Sequence, residues 1–257
     1  MTGDPAAGQY AGAYGSVRNW LARRPTAFRL VKQLLDLAPN PKLNTASHRN
    51  YRHLRDLLEA RPAPVRCLNI GSGRRLGDGM AELGALLLEQ FVNTDIQPFS
   101  RVHAMCDAHW LPFPDQTFDA VVIQSVLEFA REPRRVISEI RRVLKPGGLV
   151  YCEVPFLQSE LASTGDYWRF TLYGLRELFR DFEQIDTGVN GGPASSLSWM
   201  LREQICCVLA PGRWLPLLIR PLAGWCTVWI KYADWLLARL PRARTLACGV
   251  CYLGRRP

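Results

Sequence analysis

Three groups of residues in this 257-residue chain have types and spacings that could do chemistry. The first lies between Cys67 and Asp95, where the chain reads CLNIGSGRRLGDGMAELGALLLEQFVNTD. A short apolar run stops at Gly71-Ser72-Gly73. Such a turn can take positive φ angles and lets a ligand approach bare backbone. Asp95 follows a second apolar run, and a carboxylate there can accept hydrogen bonds from ribose hydroxyls. The second group is Gly165-Asp166-Tyr167-Trp168-Arg169-Phe170-Thr171. Tyr167 and Trp168 could stack on a sugar or apolar acceptor, and Arg169 could hold a phosphate or carboxylate. The competing reading is a packed loop, with Trp168 and Phe170 buried and Arg169 paired with Asp166. The third group is Cys248-Gly249-Val250-Cys251, a lone CxxC. On a strand its sulfurs point to opposite faces and no second pair exists, so no metal site is expected. His48, His53, His103 and His109 form no obvious pair with an acid, so no catalytic base is assigned. His109 is expected to be a solvated loop residue.

These groups need elements to position them. Val65 to Ile70 reads as a buried strand, and Met80 to Gln90 as a helix with Met80, Leu83 and Leu87 on one face. Phe91 to Thr94 reads as the second strand. Further strands are expected at Val102–Met105, Phe118–Ile123, Leu149–Val154, Phe182–Val189 and Thr245–Leu253. A helix over Glu132–Leu144 should turn Val136, Ile137, Ile140 and Val143 inward and stop at Lys145-Pro146-Gly147-Gly148. A second is expected at Leu172–Phe179. Two more precede the first strand, at 27–38 and at Ser47–Ala60, the latter with Tyr51, Leu54 and Leu58 inward. Strands alternating with helices predict an α/β fold, a doubly wound and mainly parallel sheet of seven strands. The expected organisation is an N-terminal tail and helices (1–64), a nucleotide-binding core (65–189), an apolar helical insertion (190–243) and a final core strand (244–257).

Nearly half the residues are apolar, enough for a sizeable core. Most of the cysteines lie in apolar runs, as buried reduced thiols do, which suits a cytosolic setting. The N-terminus lacks the pattern of a secretory signal, and no stretch reads as a membrane-spanning helix. Charge is unevenly placed. Residues 1–66 carry 11 basic and 4 acidic groups, residues 67–199 carry 12 and 17, and residues 200–257 carry 9 and 2. An acidic centre with basic flanks argues against nucleic acid as the partner. Basic flanks rich in aromatics suit an anionic membrane surface.

Neither common nucleotide fingerprint fits the glycine turn. A dinucleotide site needs glycine at position 76, which is Leu76, and the Gly-Lys-Ser/Thr of a P-loop is absent. The wider pattern resembles the class I S-adenosylmethionine-dependent methyltransferases, close to the methyltransferase type 11 domain, over about residues 65–189. The resemblance rests on Leu-Asn-Ile-Gly-Ser-Gly (68–73), Asn-Thr-Asp (93–95), Cys-Asp-Ala-His-Trp-Leu-Pro-Phe (106–113), Phe-Asp-Ala-Val-Val (118–122) and Arg-Arg-Val-Leu-Lys-Pro-Gly-Gly (141–148). It implies that Gly71, Ser72 and Gly73 pass under the methionine part of S-adenosylmethionine. Asp95, with Ile96 beside it, would bind the ribose. Asp107 would accept from the adenine amino group, with the Ala108 amide facing the ring. Gln124 would line the sulfonium side. Asn69 stands where many members have an acid, and its oxygen can still bond the cofactor's ammonium group. Phe129 stands where the family often has histidine. The 166–171 element is similar to one in methyltransferases of bacterial sugar and cell-surface polysaccharide pathways.

The resemblance implies methyl transfer to a small-molecule, sugar or lipid-linked glycan acceptor, with a hydroxyl as the expected site. A non-catalytic module docking at a membrane is the alternative, and an RNA methyltransferase the third reading. Five of the eight tryptophans fall in 190–243: Trp199, Trp214, Trp225, Trp229 and Trp235. If the sixth strand runs parallel to the first five, this insertion must emerge beside the ligand-binding edge. In one helix over 222–240, Trp225, Trp229, Tyr232 and Leu236 would share a face. The insertion is then a peripheral membrane contact on the inner face of a membrane, a lid, or a dimer interface. Oligomeric state is left open.

Overall fold

The computed structural model describes residues 39–40, 42–43, 45–160, 165–209 and 215–257, so the expected helix at 27–38 and Trp214 lie outside the described residues. A seven-stranded sheet runs in the order β3-β2-β1-β4-β5-β7-β6. Its strands are β1 (Cys67–Ile70), β2 (Phe91–Asp95), β3 (Ala104–Met105), β4 (Phe118–Gln124), β5 (Leu144–Pro155), β6 (Glu183–Gly191) and β7 (Gly249–Arg255). The pairs among β1 to β5 are parallel. β7 lies antiparallel between β5 and β6, so β6 runs with the first five strands, as the sequence predicts.

Side chains alternate across the sheet with the strand period of two. Leu68, Ile70, Val121 and Ile123 enter one core layer. Cys67, Ala120 and Val122 enter the other. On the first face packs α3 (Pro133–Val143), whose Val136, Ile137, Ile140 and Val143 are buried. Each such side chain contributes about 1.5–3 kcal/mol by leaving water. On the second face packs α1 (Thr45–Glu59) through Tyr51, Leu54 and Leu58.

Several elements differ from their sequence expectations. The helix over Met80–Gln90 is broken into a 3₁₀ turn (Met80–Leu83) and a short α2 (Ala85–Leu88). Gly84 sits between them at φ 80° and ψ 158°, a conformation open only to glycine, so no helix continues through it. Met80, Leu83 and Leu87 are nonetheless all buried. β3 shrinks to two residues, because Val102 turns back to bond the Phe99 carbonyl. β5 starts at Leu144, directly from the helix end. Gly147 and Gly148 bond the main chain of Arg256, which extends the sheet. β7 starts at Gly249, and Thr245 closes a 3₁₀ turn instead.

The insertion leaves the C-terminal end of β6. It comprises α5 (Pro193–Leu209), α6 (Leu215–Thr227), a 3₁₀ segment (Val228–Ala233) and α7 (Asp234–Leu237). The single helix expected over 222–240 is therefore three pieces. Before it, α4 (Leu172–Leu178) starts at Thr171, whose hydroxyl accepts from the Gly174 amide.

Candidate active site

The C-terminal ends of β1, β2 and β4 meet at one edge of the sheet, where open α/β sheets bind ligands. Leaving β1, the chain turns through Gly71 at φ 70° and Gly73 at φ 63°. The Ser72 amide bonds the Thr94 carbonyl at 2.9 Å, and the Gly73 amide bonds Asp95 Oδ2 at 2.9 Å. The glycine turn and the acid, distant in sequence, thus form one unit. Asp95 Oδ1 accepts from the Gln97 amide. Each oxygen holds one backbone donor and keeps acceptor capacity for a ribose diol. The exposed Ile96 offers an apolar face next to it.

A ligand fits here on two observations. Ser72 Oγ is buried with no hydrogen-bond partner. A side chain at Gly73 would enter open space, with only the Arg75 carbonyl oxygen 4.0 Å away. Gly71 differs: a Cβ there would lie 2.1 Å from Val126 Cγ2. Gly71→Ala adds that clash to a left-handed backbone, so a loss of about 1–3 kcal/mol and weakened donor binding are expected. Thermal melting with and without S-adenosylmethionine checks both.

Asn69 is buried and donates its Nδ2 to Oδ1 of its in-register partner Asn93 at 2.9 Å. Its oxygen is the end left to accept from an ammonium group. Asp107 lies in the loop after β3. Burial would raise its pKa, but the backbone amide and ring of His109, both on Oδ1, bring it below the usual range. Asp107 therefore stays ionised as an acceptor. The adjacent Ala108 packs on the core, which fixes the loop. His109 corrects its expectation. Its side chain is largely buried, and its Nε2 accepts from the Glu132 amide at 3.3 Å. Both ring nitrogens are engaged, so it braces the loop and is neither solvated nor poised as a base.

Gln124 ends β4 at the ligand-binding edge, as expected, with its amide group engaged by protein. Its Nε2 donates to the Asp78 carbonyl at 2.9 Å and to Glu153 Oε2 at 2.7 Å, while Tyr51 donates to its Oε1. Both amide hydrogens are committed to protein. A Cβ at Gly77 would lie 1.8 Å from Gln124 Oε1, which explains a glycine that fits no fingerprint. Beneath it, the fully buried Glu153 also accepts from Tyr151 and Asn190, and Ser47 Oγ lies 2.8 Å away. Burial, and then the Glu153 charge, push the Tyr51 and Tyr151 phenols well above their usual range. Sequence reasoning missed Glu153. The only signal was an acid inside an otherwise apolar strand.

Beyond β5, a cavity of about 270 Å³ is lined by Gln158, Glu160, Asp166, Tyr167, Trp168 and Arg169. Tyr167 and Trp168 are partly exposed, and both backbone amides bond the Glu128 carbonyl. Trp168 Nε1 bonds the Ala130 carbonyl at 2.8 Å, and its ring stacks on Phe170. Arg169 corrects its expectation as an anion holder. Its donors go to both oxygens of Asp166 and to the carbonyls of Gln158, Ser159 and Trp168. All its N–H groups are thereby committed, and it clamps the loop that presents the two rings. Glu128 is buried, and its Oε2 has no partner. Burial pushes its carboxyl up to about 8, aided by the nearby Asp166 charge. Among the described residues no cluster of metal-ligating side chains occurs.

Comparison with known proteins bears on the core and the fold. Residues 68–152 match the family described as a methyltransferase domain. A ubiquinone/menaquinone biosynthesis C-methyltransferase of Bordetella avium is 43% identical over 70 residues, covering 27% of this chain and 27% of that protein. A phosphatidylethanolamine N-methyltransferase of Cereibacter sphaeroides is 34% identical over 117 residues, covering 44% and 57%. A sterol 4-C-methyltransferase of Caenorhabditis elegans is 32% identical over 142 residues, covering 49% and 40%. The chain thus spans less than two thirds of each relative's length. A crystal structure from Galdieria sulphuraria, of a candidate sarcosine dimethylglycine methyltransferase, shares the fold at TM-score 0.52 and 14% identity, covering 82% of this chain and 85% of that one. Residues 68–152 thus carry a methyltransferase domain, and the seven-stranded sheet around them has the Rossmann-like methyltransferase fold.

Proposed function

We propose that this protein transfers the methyl group of S-adenosylmethionine to a small-molecule, sugar or lipid-linked acceptor, at a hydroxyl. The observation that carries the proposal is the unit formed by the Gly73 amide, the Asp95 carboxylate and the unpartnered Ser72 Oγ at the end of β1. When bound, the cofactor would supply a sulfonium methyl group to the acceptor oxygen as the carbon–sulfur bond breaks, leaving S-adenosylhomocysteine, with the hydroxyl proton passing to solvent. Asp95 holds the ribose, Asp107 the adenine amino group, and the Asn69 oxygen the ammonium. Gly71 and Gly73 keep side chains out of the donor's path. Tyr167 and Trp168, fixed on the Glu128 carbonyl, present ring faces against which an acceptor orients.

Three curated relatives are named for ubiquinone/menaquinone biosynthesis, for phosphatidylethanolamine and for a sterol, which supports an acceptor with a large apolar part. Arg169 is committed to Asp166, so the acceptor is recognised by stacking more than by a charged group. The test is incubation with methyl-labelled S-adenosylmethionine and a fractionated cell extract. Label in the lipid fraction or in soluble sugars supports the reading. Label confined to RNA or protein, or none above a heat-killed control, rejects it.

A further inference from the structure

The insertion is built inside out. Among the described side chains of α6, the 3₁₀ segment and α7 (219–237), the buried positions are Ala223, Gly224, Thr227, Val228 and Asp234, which are small or polar except for one valine. Leu222, Trp225, Trp229, Tyr232, Leu236 and Leu240 recur every three or four residues and are all exposed, Trp229 by 65%, and Trp235 beside them by 66%. α5 repeats the pattern. Ala194, Ser195, Ser196 and Ser198 are buried, while Leu197, Met200, Leu201, Val208 and Leu209 are exposed. A helix docked on a soluble core does the reverse and turns its apolar stripe inward.

The polar interior is satisfied, so the arrangement is held firmly. Asp234, only 2% exposed, accepts from the Ala194 and Ser195 amides at 2.8 Å each. That carboxylate sits on the N-terminus of α5, where the helix dipole favours it. Ser198 donates to the Thr227 carbonyl, and Thr227 to the Ala223 carbonyl. Rotating the segment to bury the tryptophans would break all of these bonds.

Cations surround the exposed rings. Arg239 lies over Trp235 at 5.2 Å and Lys231 over Tyr232 at 5.3 Å, and Arg242 and Arg244 are exposed just beyond. Residues 200–257 carry nine basic and two acidic groups. Tryptophan, tyrosine and leucine interleaved with arginine is the surface that settles at the headgroup level of an anionic bilayer. A protein partner would need matching acids and an apolar groove, whereas a bilayer supplies both without a shaped surface. No helix among the described residues is long and apolar enough to cross a membrane.

We infer that the outer face of the insertion, centred on Trp225, Trp229, Tyr232 and Trp235, docks the protein peripherally on an anionic lipid bilayer. The segment leaves β6 at the same sheet edge as Asp95 and Gln124, so docking sets the acceptor side against the membrane surface. The docking rests on the exposed face alone. Its bearing on the acceptor rests on the methyl-transfer reading above.

The test is co-sedimentation of the full chain with vesicles of phosphatidylglycerol and phosphatidylcholine in equal parts, against phosphatidylcholine alone. Wild type is expected to sediment with the anionic vesicles, with a blue-shifted tryptophan emission, and to dissociate as salt shortens the Debye length. Trp229→Ser combined with Trp235→Ser is expected to weaken binding at least about tenfold while leaving S-adenosylmethionine binding unchanged. No sedimentation with anionic vesicles overturns the inference, as does a variant that binds like wild type. A concentration-dependent dimer abolished by the same variant, without vesicle binding, assigns the face to a second copy and also overturns it. Donor binding retained in any of these cases shows that docking failed and not the methyl-transfer reading.

Discussion

Replacing Glu153 by alanine should lower the unfolding free energy by about 3–5 kcal/mol, since it leaves several buried donors unpaired at about 1–3 kcal/mol each. The carboxylate is fully buried and accepts from Tyr151, Gln124 and Asn190, with Ser47 Oγ in reach of Oε1. The Ser47 proton is shared with the Asp78 carbonyl, Gln124 turns one of its two amide hydrogens to Glu153 and the other to Asp78, and Tyr151 and Asn190 donate to Glu153 alone. Truncation leaves those donors buried and unpaired. These residues belong to α1, β4, β5 and β6, so the loss spreads to the loop at Asp78 and Gly79 beneath the cofactor edge. Glu153→Gln keeps the shape but sets an NH₂ group against donors, and should recover only part of the loss. Urea unfolding of the three proteins measures the order. Equal stability of wild type and Glu153→Ala would show that the network is not the brace described.

The second large effect is a pH dependence set by Glu128. Its carboxyl, 1% exposed with Oε2 unpartnered, is pushed by burial up to about 8. In the unfolded chain a glutamate titrates near ~4.3. Between these values the folded state keeps a proton that the unfolded state releases. Its stabilisation is fully present below the unfolded pKa and is lost as pH rises towards about 8. Each pH step of one across that window removes roughly 1.4 kcal/mol, so the loss amounts to several kcal/mol. Glu128→Gln carries a neutral amide at every pH and removes this slope. The wild-type minus variant difference in unfolding free energy, followed from pH 5 to pH 9, cancels the titration of common groups. It should fall with pH up to about 8 and then level off. A flat difference would mean that Glu128 ionises freely and is not held in the apolar pocket. The Glu128 main-chain carbonyl carries the Tyr167 and Trp168 amides, so its ionisation should also loosen the acceptor side.

The framework was legible in the sequence because it is written in short-range patterns. Two apolar runs flank Gly71-Ser72-Gly73, and Asp95 closes the second. The sheet brings Asp95 onto the Gly73 amide, as that pattern requires. The direction of β6 was legible from strand alternation, and with it the edge at which the insertion emerges. Gly84 was not legible, since a glycine that breaks a helix looks like one that is tolerated within it. Nor was the role of Gln124. Its partners are Tyr51, Asp78 and Glu153, and only the packing of α1 on the sheet brings them together. Arg169 was visible both as an anion holder and as the partner of Asp166, and only the placement of Gln158 and Ser159 decides for the clamp. The clustering of tryptophans in the insertion is plain in the sequence. Which way they face depends on Asp234 reaching the start of α5, a contact across forty residues.

The central claim is that the β1–β2 edge holds S-adenosylmethionine through Asp95. Isothermal titration of the purified protein with S-adenosylmethionine tests it directly. The geometry predicts saturable one-to-one binding to wild type. It predicts a loss of about a hundredfold or more in Asp95→Ala, since two hydrogen bonds to a charged acceptor are worth about 3–5 kcal/mol together. No binding to the folded wild type, or equal binding to Asp95→Ala, would contradict it.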